Sequence, residues 1–301
     1  MIFWILPLLF LQTDSINEID TDEFDLAKIE ALADTLFSLG EYDAAALEYK
    51  RLLYYSTEMQ GRYIDSVSGT PEGFCETFRG LKLALALYRN GEFDEADSII
   101  YELDGPTARI VRAVLLIEED NPYLAALAID STTREVMGAR AYKLRGWAYF
   151  EAHDFWNAAR EFSKAGKDSL GLLVGDLSDV KLKNPRTARW LSLIPGWGET
   201  YAGKPLFGLW ALLVNAGDTY LIVDGIIDKR YLDAFLVYTF LWQRFYAGSM
   251  TNASQFAYEW NERKLTEVMD PIREEFGESK DLTLDLQTLH ELYRIESTVR
   301  D

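Results

Sequence analysis

The chain has 301 residues and carries 30 Lys and Arg against 49 Asp and Glu, a formal net charge of −19 at pH 7. This balance argues against nucleic acid as a partner, because neutralising phosphates requires Lys and Arg, and against electrostatic docking on anionic lipid. Hydrophobic residues make up 49% of the sequence, which is enough for a packed core and excludes a globally disordered chain.

The first predicted element is a short apolar segment at residues 1–13. An uninterrupted apolar run separates Met1 from Gln12. This run is too short to span a bilayer comfortably, and its length and position are typical of a signal peptide. We therefore expect residues 1–13 to be a signal peptide or a short N-terminal apolar segment, and the protein to be exported to the cell envelope.

Three segments of the following region share one pattern. Each has a turn residue, an aromatic residue two positions later, an alanine three positions after that and a large apolar residue four further on: Gly40, Tyr42, Ala45 and Tyr49; Gly91, Phe93, Ala96 and Ile100; His153, Phe155, Ala158 and Phe162. Glycine suits the left-handed conformation at a helix end, and a small residue lets the second helix of a pair approach the first. The spacing predicts helix pairs with these residues in the core.

This pattern resembles the tetratricopeptide repeat (TPR), whose period is 34 residues. A degenerate copy fits between the second and third segments, with Ala113 and Ala125 in the small-residue places. We predict a TPR-like domain over residues 22–183, with about four helix pairs and an insertion at Thr57–Pro71. The resemblance implies a solenoid that binds a protein partner on one face, and the acidity of this region favours basic or polar peptides.

The charge pattern places a domain boundary near Asn184–Pro185. Residues 1–185 have a net charge of −14, residues 186–264 of +1 and residues 265–301 of −6. A near-neutral block between two acidic segments is typical of a separate structural unit. We therefore predict an apolar domain over residues 184–264.

A glycine-rich motif opens this apolar domain and two apolar runs follow it. The motif residues are Pro195, Gly196, Gly198, Tyr201 and Gly203. The runs are Leu206–Ile227 and Tyr231–Tyr246, separated by a charged turn. The segment resembles a PGxGxxYxG motif of bacterial membrane proteins of unknown function, in which TPRs often precede a membrane hairpin. The resemblance implies an architecture, a helical hairpin over 206–246 that contacts a membrane, and no reaction.

The polar residues within the two runs decide whether they enter a membrane. A helix over Leu206–Ile227 could cross about 30 Å of hydrocarbon at 1.5 Å per residue, but each Asp at the bilayer centre costs about 2.5–3.5 kcal/mol. Gly208, Ala211, Asn215 and Asp218 lie at three- and four-residue steps on one face. We predict an intramembrane ion pair between Asp218 and Arg244, and the alternative is a soluble hairpin packed on the last repeat.

The last predicted segment is an acidic tail over residues 265–301. Pro271 is expected to break the preceding helix. Leucines and a tyrosine then follow at helical spacing: Leu282, Leu286, Leu289, Leu292 and Tyr293. They predict an amphipathic helix that packs back on the protein or on a partner.

The residues offer little for catalysis. Cys75 is the one cysteine and the two histidines, His153 and His290, are far apart in sequence, which argues against a disulfide, a metal cluster or acid–base chemistry. We expect an all-α, non-enzymatic protein without a cofactor: an envelope scaffold or adaptor, with periplasmic repeats and a hairpin at the membrane. The alternatives are a subunit of a membrane transport or secretion assembly that oligomerises through the hairpin, and a soluble periplasmic repeat protein.

Overall fold

The computed structural model describes residues 26–60, 72–277 and 284–300. Every regular element in these ranges is helical, which confirms the all-α class. The apolar segment 1–13 and positions 61–71 of the expected insertion lie outside the described residues. The chain divides into two compact units: unit 1 takes the residues up to Gly175 together with those from Leu282 onward, and unit 2 takes Asp176–Asp281.

Unit 1 is a series of helices, and helices that follow one another in the chain pack together. The helices are α1 Leu26–Ser38, α2 Tyr42–Gln60, α3 Glu72–Asn90, α4 Phe93–Glu102, α5 Pro106–Glu118, α6 Pro122–Ala128, α7 Ser131–Met137, α8 Ala139–Glu151, α9 Phe155–Lys164 and α10 Asp168–Asp176. Helix α6 packs on α8 past the short α7. Most helix packing in the described part of unit 1 joins helices that are close in sequence.

Five turns of unit 1 share one backbone geometry: the turn at Gly166 after α9 (φ 73°, Lys167 amide to Phe162 carbonyl 2.9 Å) and the four turns at the repeat positions. A residue with positive φ ends the first helix of each pair: Gly40 (82°), Gly91 (86°), Asp120 (61°) and His153 (61°). The next amide donates to the carbonyl five residues earlier, which satisfies an end carbonyl of the helix: Glu41 to Leu36 at 3.0 Å, Glu92 to Leu87 at 2.9 Å, Asn121 to Leu116 at 2.8 Å and Asp154 to Tyr149 at 2.9 Å. The degenerate copy therefore has the same turn as the others.

The small and aromatic positions of the pattern also occupy equivalent places. The alanines five residues after each turn residue are fully buried: Ala45, Ala96, Ala125 and Ala158. The aromatic residues after three of the turns stack edge-on against a ring of the preceding helix: Phe37 and Tyr42 with centroids 5.1 Å apart, Tyr88 and Phe93 at 5.0 Å, and Phe150 and Phe155 at 5.9 Å. These contacts join the two helices of each pair. Phe93 is nevertheless 49% exposed, so the prediction that this aromatic residue lies in the core is wrong.

The described part of unit 2 has a short 3₁₀ helix, Leu177–Asp179, then two short α-helices and two long helical stretches. The short α-helices and the long stretches are α11 Pro185–Leu191, α12 Trp197–Tyr201, α13 Pro205–Ile227, α14 Tyr231–Leu236, a π-helical segment Val237–Trp242 and α15 Gln243–Phe276. Unit 2 begins before the boundary that charge predicts, because the Asn261 side chain bonds both the backbone N–H and the carbonyl of Lys183, each at 2.8 Å.

The acidic tail is divided between the two units. Helix α15 continues through Pro271 to Phe276 instead of ending there. Met269 and Ile272, on either side of the proline, are both buried, and their packing offsets the one backbone hydrogen bond that proline removes. Helix α16, Leu286–Arg300, returns to unit 1 and packs on α3, α5 and α7.

Candidate membrane-embedded segment

Helix α13 presents large apolar side chains to its surroundings. The exposed large apolar residues of α13 lie on several faces and along the whole helix: Leu206, Phe207, Leu209, Trp210, Leu212, Leu213, Tyr220, Leu221, Val223, Ile226 and Ile227. The stretch that follows α13 also exposes large apolar side chains: Tyr231, Leu232, Phe235, Leu236, Tyr238, Phe240, Leu241 and Phe245. A contiguous apolar surface of this kind marks a membrane or protein contact in a folded protein.

The buried side of α13 is small and polar. Its four buried residues are Gly208, Asn215, Asp218 and Gly225, which form a stripe along one face. A Cβ on Gly225 would lie 3.2 Å from the Cβ of Ala234 in α14, so the glycine lets the two helices approach closely. Large residues outward and small or polar residues inward are the arrangement of helices that pack inside a bilayer.

Two polar side chains of α13 bond within their own helix. Asn215 Nδ2 donates to the Ala211 carbonyl and Thr219 Oγ1 to the Asn215 carbonyl, both at 2.7 Å. Such bonds satisfy polar groups without water, which a helix in hydrocarbon requires. Asn215 Oδ1 and Asp218 Oδ2 are buried and accept no hydrogen bond from the described residues.

The described residues contain no ion pair between Asp218 and Arg244, the pair that the sequence predicts. Asp218 is buried whereas Arg244 is exposed, so the two side chains lie in different environments. The π-helical segment, which lies between α14 and Arg244 in the chain, also changes the face that Arg244 takes relative to a regular α-helix.

The other charged side chains of this region cluster at the ends of α13. Arg230, in the turn after α13, bonds Asp224 Oδ2 at 2.6 Å and Asp228 Oδ2 at 3.2 Å, and Asp233 lies 3.6 Å away. Lys204 precedes the helix and lies 4.0 Å from Glu259. Charges at both ends of a 23-residue apolar helix are compatible with a transmembrane orientation.

The first glycine of the motif packs backbone to backbone with α13. Gly196 has φ 89°, a conformation that favours glycine. A Cβ on Gly196 would collide with the Gly208 backbone, and one on Gly208 would collide with the Gly196 carbonyl and the Thr200 hydroxyl. The pair therefore brings the turn before α12 into contact with the first turns of α13.

Gly198 occupies the tightest position of the motif. A Cβ there would collide with the Ser192 hydroxyl and the Ala188 carbonyl of the preceding segment, and would lie 2.8 Å from the Cβ of Ala253 in α15. Glu199, the next residue, is buried, and its Oε1 accepts a hydrogen bond of 2.5 Å from Ser249 Oγ of α15. The motif thus fixes α12 against α15.

The last two motif residues support the start of the unit. The Tyr201 hydroxyl accepts a hydrogen bond from the Asn184 amide at 3.1 Å. Gly203 has φ 89°, and a Cβ there would lie 3.3 Å from the Trp260 ring. Lys183 Nζ lies 4.3 Å from the centroid of the same ring, and burial lowers the pKa of Lys183. These contacts leave the motif side chains occupied in packing.

A stacked aromatic ladder is a feature that the sequence analysis missed. Tyr238, Trp242 and Tyr246 stack with centroids 5.4 Å and 4.8 Å apart, from within the π-helical segment into α15. The Tyr246 hydroxyl donates to the Leu193 carbonyl at 3.0 Å. The four-residue spacing of the three rings could have predicted the stacking, since residues four apart lie on one helix face.

One helix of the described part, Pro205–Ile227, is long and apolar enough to cross a membrane. Within the same part of the chain, no group of three or more His, Cys, Asp and Glu side chains is placed to hold a metal ion. Comparison of the chain with protein-family models, with curated proteins and with solved structures finds no match.

Proposed function

We propose that the protein is a non-catalytic envelope scaffold, in which α13 and the helix after it form a membrane hairpin and unit 1 binds a protein partner. The observation that carries the proposal is the inverted side-chain distribution of α13. Its Leu, Ile and Trp residues face outward while Gly208, Asn215, Asp218 and Gly225 face inward. Water would oppose this distribution, whereas lipid favours it.

Unit 1 supports the scaffold part of the proposal. The four turns at its repeat positions and the fully buried alanines match the TPR-like pattern, and stacked helix pairs serve widely as protein-binding surfaces. Export rests on the apolar segment 1–13, and with export we propose a periplasmic location for the repeats.

The anchoring is tested by flotation of the purified chain with liposomes of neutral lipid, followed by carbonate extraction. Neutral lipid isolates apolar insertion from charge attraction, which the net charge of −19 disfavours. We expect the protein to float with the liposomes and to resist carbonate. Complete release by carbonate would contradict an embedded hairpin.

A matched pair of variants separates insertion from general surface stickiness. Leu213 in α13 is 54% exposed, and Leu39 in unit 1 is 72% exposed. An arginine in the middle of a spanning helix costs about 2.5–3.5 kcal/mol, so Leu213→Arg should lower the equilibrium constant for insertion about a hundredfold. Leu39→Arg should leave flotation unchanged. Equal effects of the two variants would argue that the apolar surface of α13 is not the anchor.

A further inference from the structure

Helix α16 fills a groove of unit 1 although all of unit 2 separates it in sequence from the groove. Its inward stripe consists of Leu289 and Leu292, both fully buried, and Glu296, which is 4% exposed. These residues lie at positions i, i+3 and i+7 on one helix face. The groove is formed by α3, α5 and α7.

The buried carboxylate of α16 is bound at the start of α5. Glu296 Oε2 accepts a hydrogen bond of 3.0 Å from the Thr107 amide. Gly105, which precedes α5, offers no side-chain cap, and a Cβ there would lie 2.8 Å from Glu296 Oε1. The groove thus has a place for one carboxylate, with a free helix amide as donor and a glycine that leaves room.

The rim of the groove recognises the rest of α16 by rings and by basic side chains. Phe78 of α3 contacts the rings of His290 and Tyr293, with centroids 4.8 Å and 4.2 Å away. Arg140 pairs with Glu291 at 3.0 Å. Helix α16 carries two Glu and two Arg, so the groove is complementary to an amphipathic helix with one carboxylate on its buried face.

The match between groove and α16 is incomplete at the carboxylate position. The Thr107 hydroxyl is buried and has no hydrogen-bond partner among the described residues, while the amide of the same residue binds Glu296. A buried hydroxyl left unpaired costs free energy that a better-matched ligand would recover. This orphaned group lies where a ligand's acidic side chain enters.

We infer that this groove is the site at which unit 1 binds its protein partner, that the partner presents an amphipathic helix with one carboxylate on its apolar face, and that α16 occupies the groove as an internal ligand. The recognised features are two apolar side chains at i and i+3 and a carboxylate at i+7. The inference rests on the proposed partner-binding function of unit 1. A tethered helix has a high effective concentration, so a partner helix binds only by displacing α16.

The test uses the full chain with α16 expelled and a fluorescent peptide of residues 284–300. Leu289→Asp with Leu292→Asp removes both buried anchors, and Glu296→Lys is a second way to expel α16, since it puts a cation at the N-terminus of α5. Circular dichroism checks that each variant stays folded. We expect either variant to bind the peptide at least about tenfold more tightly than the unmodified chain, because the tethered competitor is lost.

Peptide variants test the chemistry of recognition. A Glu296→Gln peptide should lose about tenfold in affinity, because a charge-assisted hydrogen bond becomes a neutral one. An Arg294→Gln peptide is the control, since Arg294 is exposed, and it should bind within about twofold of the parent. Equal loss for both peptides would overturn the carboxylate site.

Binding of an unrelated helical peptide distinguishes a partner-binding site from a surface that packs only with the α16 sequence. It carries only the two leucines and the glutamate on an Ala- and Gln-rich background, and its control carries lysine in place of the glutamate. Binding of the first peptide alone supports the inference. Binding of neither, or of both equally, overturns it, as does a dimer of the unmodified chain that exchanges α16 between copies. Flotation of the same variants reports membrane anchoring separately, so a failure of the groove and a failure of the anchor give different results.

Discussion

Lys82 is the residue on which the first three helices of unit 1 converge. Its side chain is 1% exposed, and its Nζ lies 2.8 Å from Glu30 and 2.9 Å from Asp34, both in α1. Tyr49 of α2 donates to Asp34 at 2.6 Å, and burial together with that carboxylate raises the pKa of Tyr49. The network joins three helices through one buried cation.

Replacing that cation should destabilise unit 1. Lys82→Met removes the counter-charge of Asp34 and leaves Glu30 with Arg79 alone, 3.7 Å away, and losing one partner of a fully buried pair costs about 3–5 kcal/mol. We expect a smaller loss of about 2–3 kcal/mol, because the two carboxylates are 26% and 32% exposed. Chemical unfolding followed by circular dichroism measures the loss.

The control for Lys82 is a surface ion pair of the same unit. Lys50 lies 2.8 Å from Glu95, and the two side chains are 42% and 47% exposed. Lys50→Met should change the free energy of unfolding by less than about 0.5 kcal/mol, since solvent screens the pair. Equal losses for the two lysines would show that burial of Lys82 does not set its contribution.

A substitution at Gly198 should destabilise unit 2. Gly198→Ala forces a methyl group against the Ser192 hydroxyl, the Ala188 carbonyl and Ala253, and overpacking of a filled core costs about 1–3 kcal/mol or more. We expect a clear fall in the midpoint of thermal unfolding in mild detergent. Gly248→Ala is the control, because a Cβ at Gly248 meets nothing within 4 Å. It should raise the midpoint or leave it unchanged, since alanine favours helix.

At the scale of elements, the parts of the fold that follow from local spacing could be predicted from the sequence. The turn residues Gly40, Gly91 and His153 and the small residues after them have the geometry expected of a helix-pair repeat. The apolar run expected from Leu206 to Ile227 coincides with α13 to within one residue. Local backbone preferences and helical periodicity determine both features.

The remaining features depend on contacts between residues distant in sequence. Periodicity predicted α16 but not where it packs, because the hydrogen bond between Glu296 and the Thr107 amide joins positions 189 residues apart. The predicted pairing of Asp218 with Arg244 assumed regular helices, and the π-helical segment between α14 and α15 is not encoded by a residue pattern that spacing reveals. The close backbone contacts of Gly196 and Gly198 likewise could not be predicted, because they depend on where α13 and α15 lie.

Docking of α16 should depend on pH through His290. Burial lowers the pKa of His290, the Lys82 charge lowers it further, and Asp34 and Glu30 act in the opposite direction. A lowered pKa means that the undocked helix binds the proton more readily, so docking is strongest above the ordinary histidine value of about 6.5 and weakens as pH falls through that value. Hydrogen exchange of the α16 amides at pH 7.5 and 5.5 measures the change.

Two histidine variants make this prediction specific. His290→Asn should abolish most of the difference in α16 protection between the two pH values. His153→Asn is the control, because His153 lies in the turn between α8 and α9 with φ 61°, a conformation that asparagine also adopts. A pH dependence that survives in the His290 variant would assign the effect to the carboxylates instead.

At the scale of the whole molecule, the two units should respond to mutation independently. Each has a buried core of its own, large and aromatic residues such as Trp147 and Phe162 in unit 1 and a cluster of alanines at 188, 202, 253 and 257 in unit 2. Separate cores unfold as separate cooperative units. We therefore expect two thermal transitions in detergent, with Lys82→Met lowering one and Gly198→Ala the other.

The double variant tests this independence directly. The free-energy losses of Lys82→Met and Gly198→Ala should add to within about 0.3–0.5 kcal/mol, as they do for sites without shared partners. Protection of the α16 amides should be lost with the transition that Lys82→Met lowers, because α16 packs in unit 1 although unit 2 precedes it in the chain. Loss of α16 protection with the other transition, or a coupling above about 1 kcal/mol, would mean that the chain unfolds as one cooperative body and that α16 reports on unit 2.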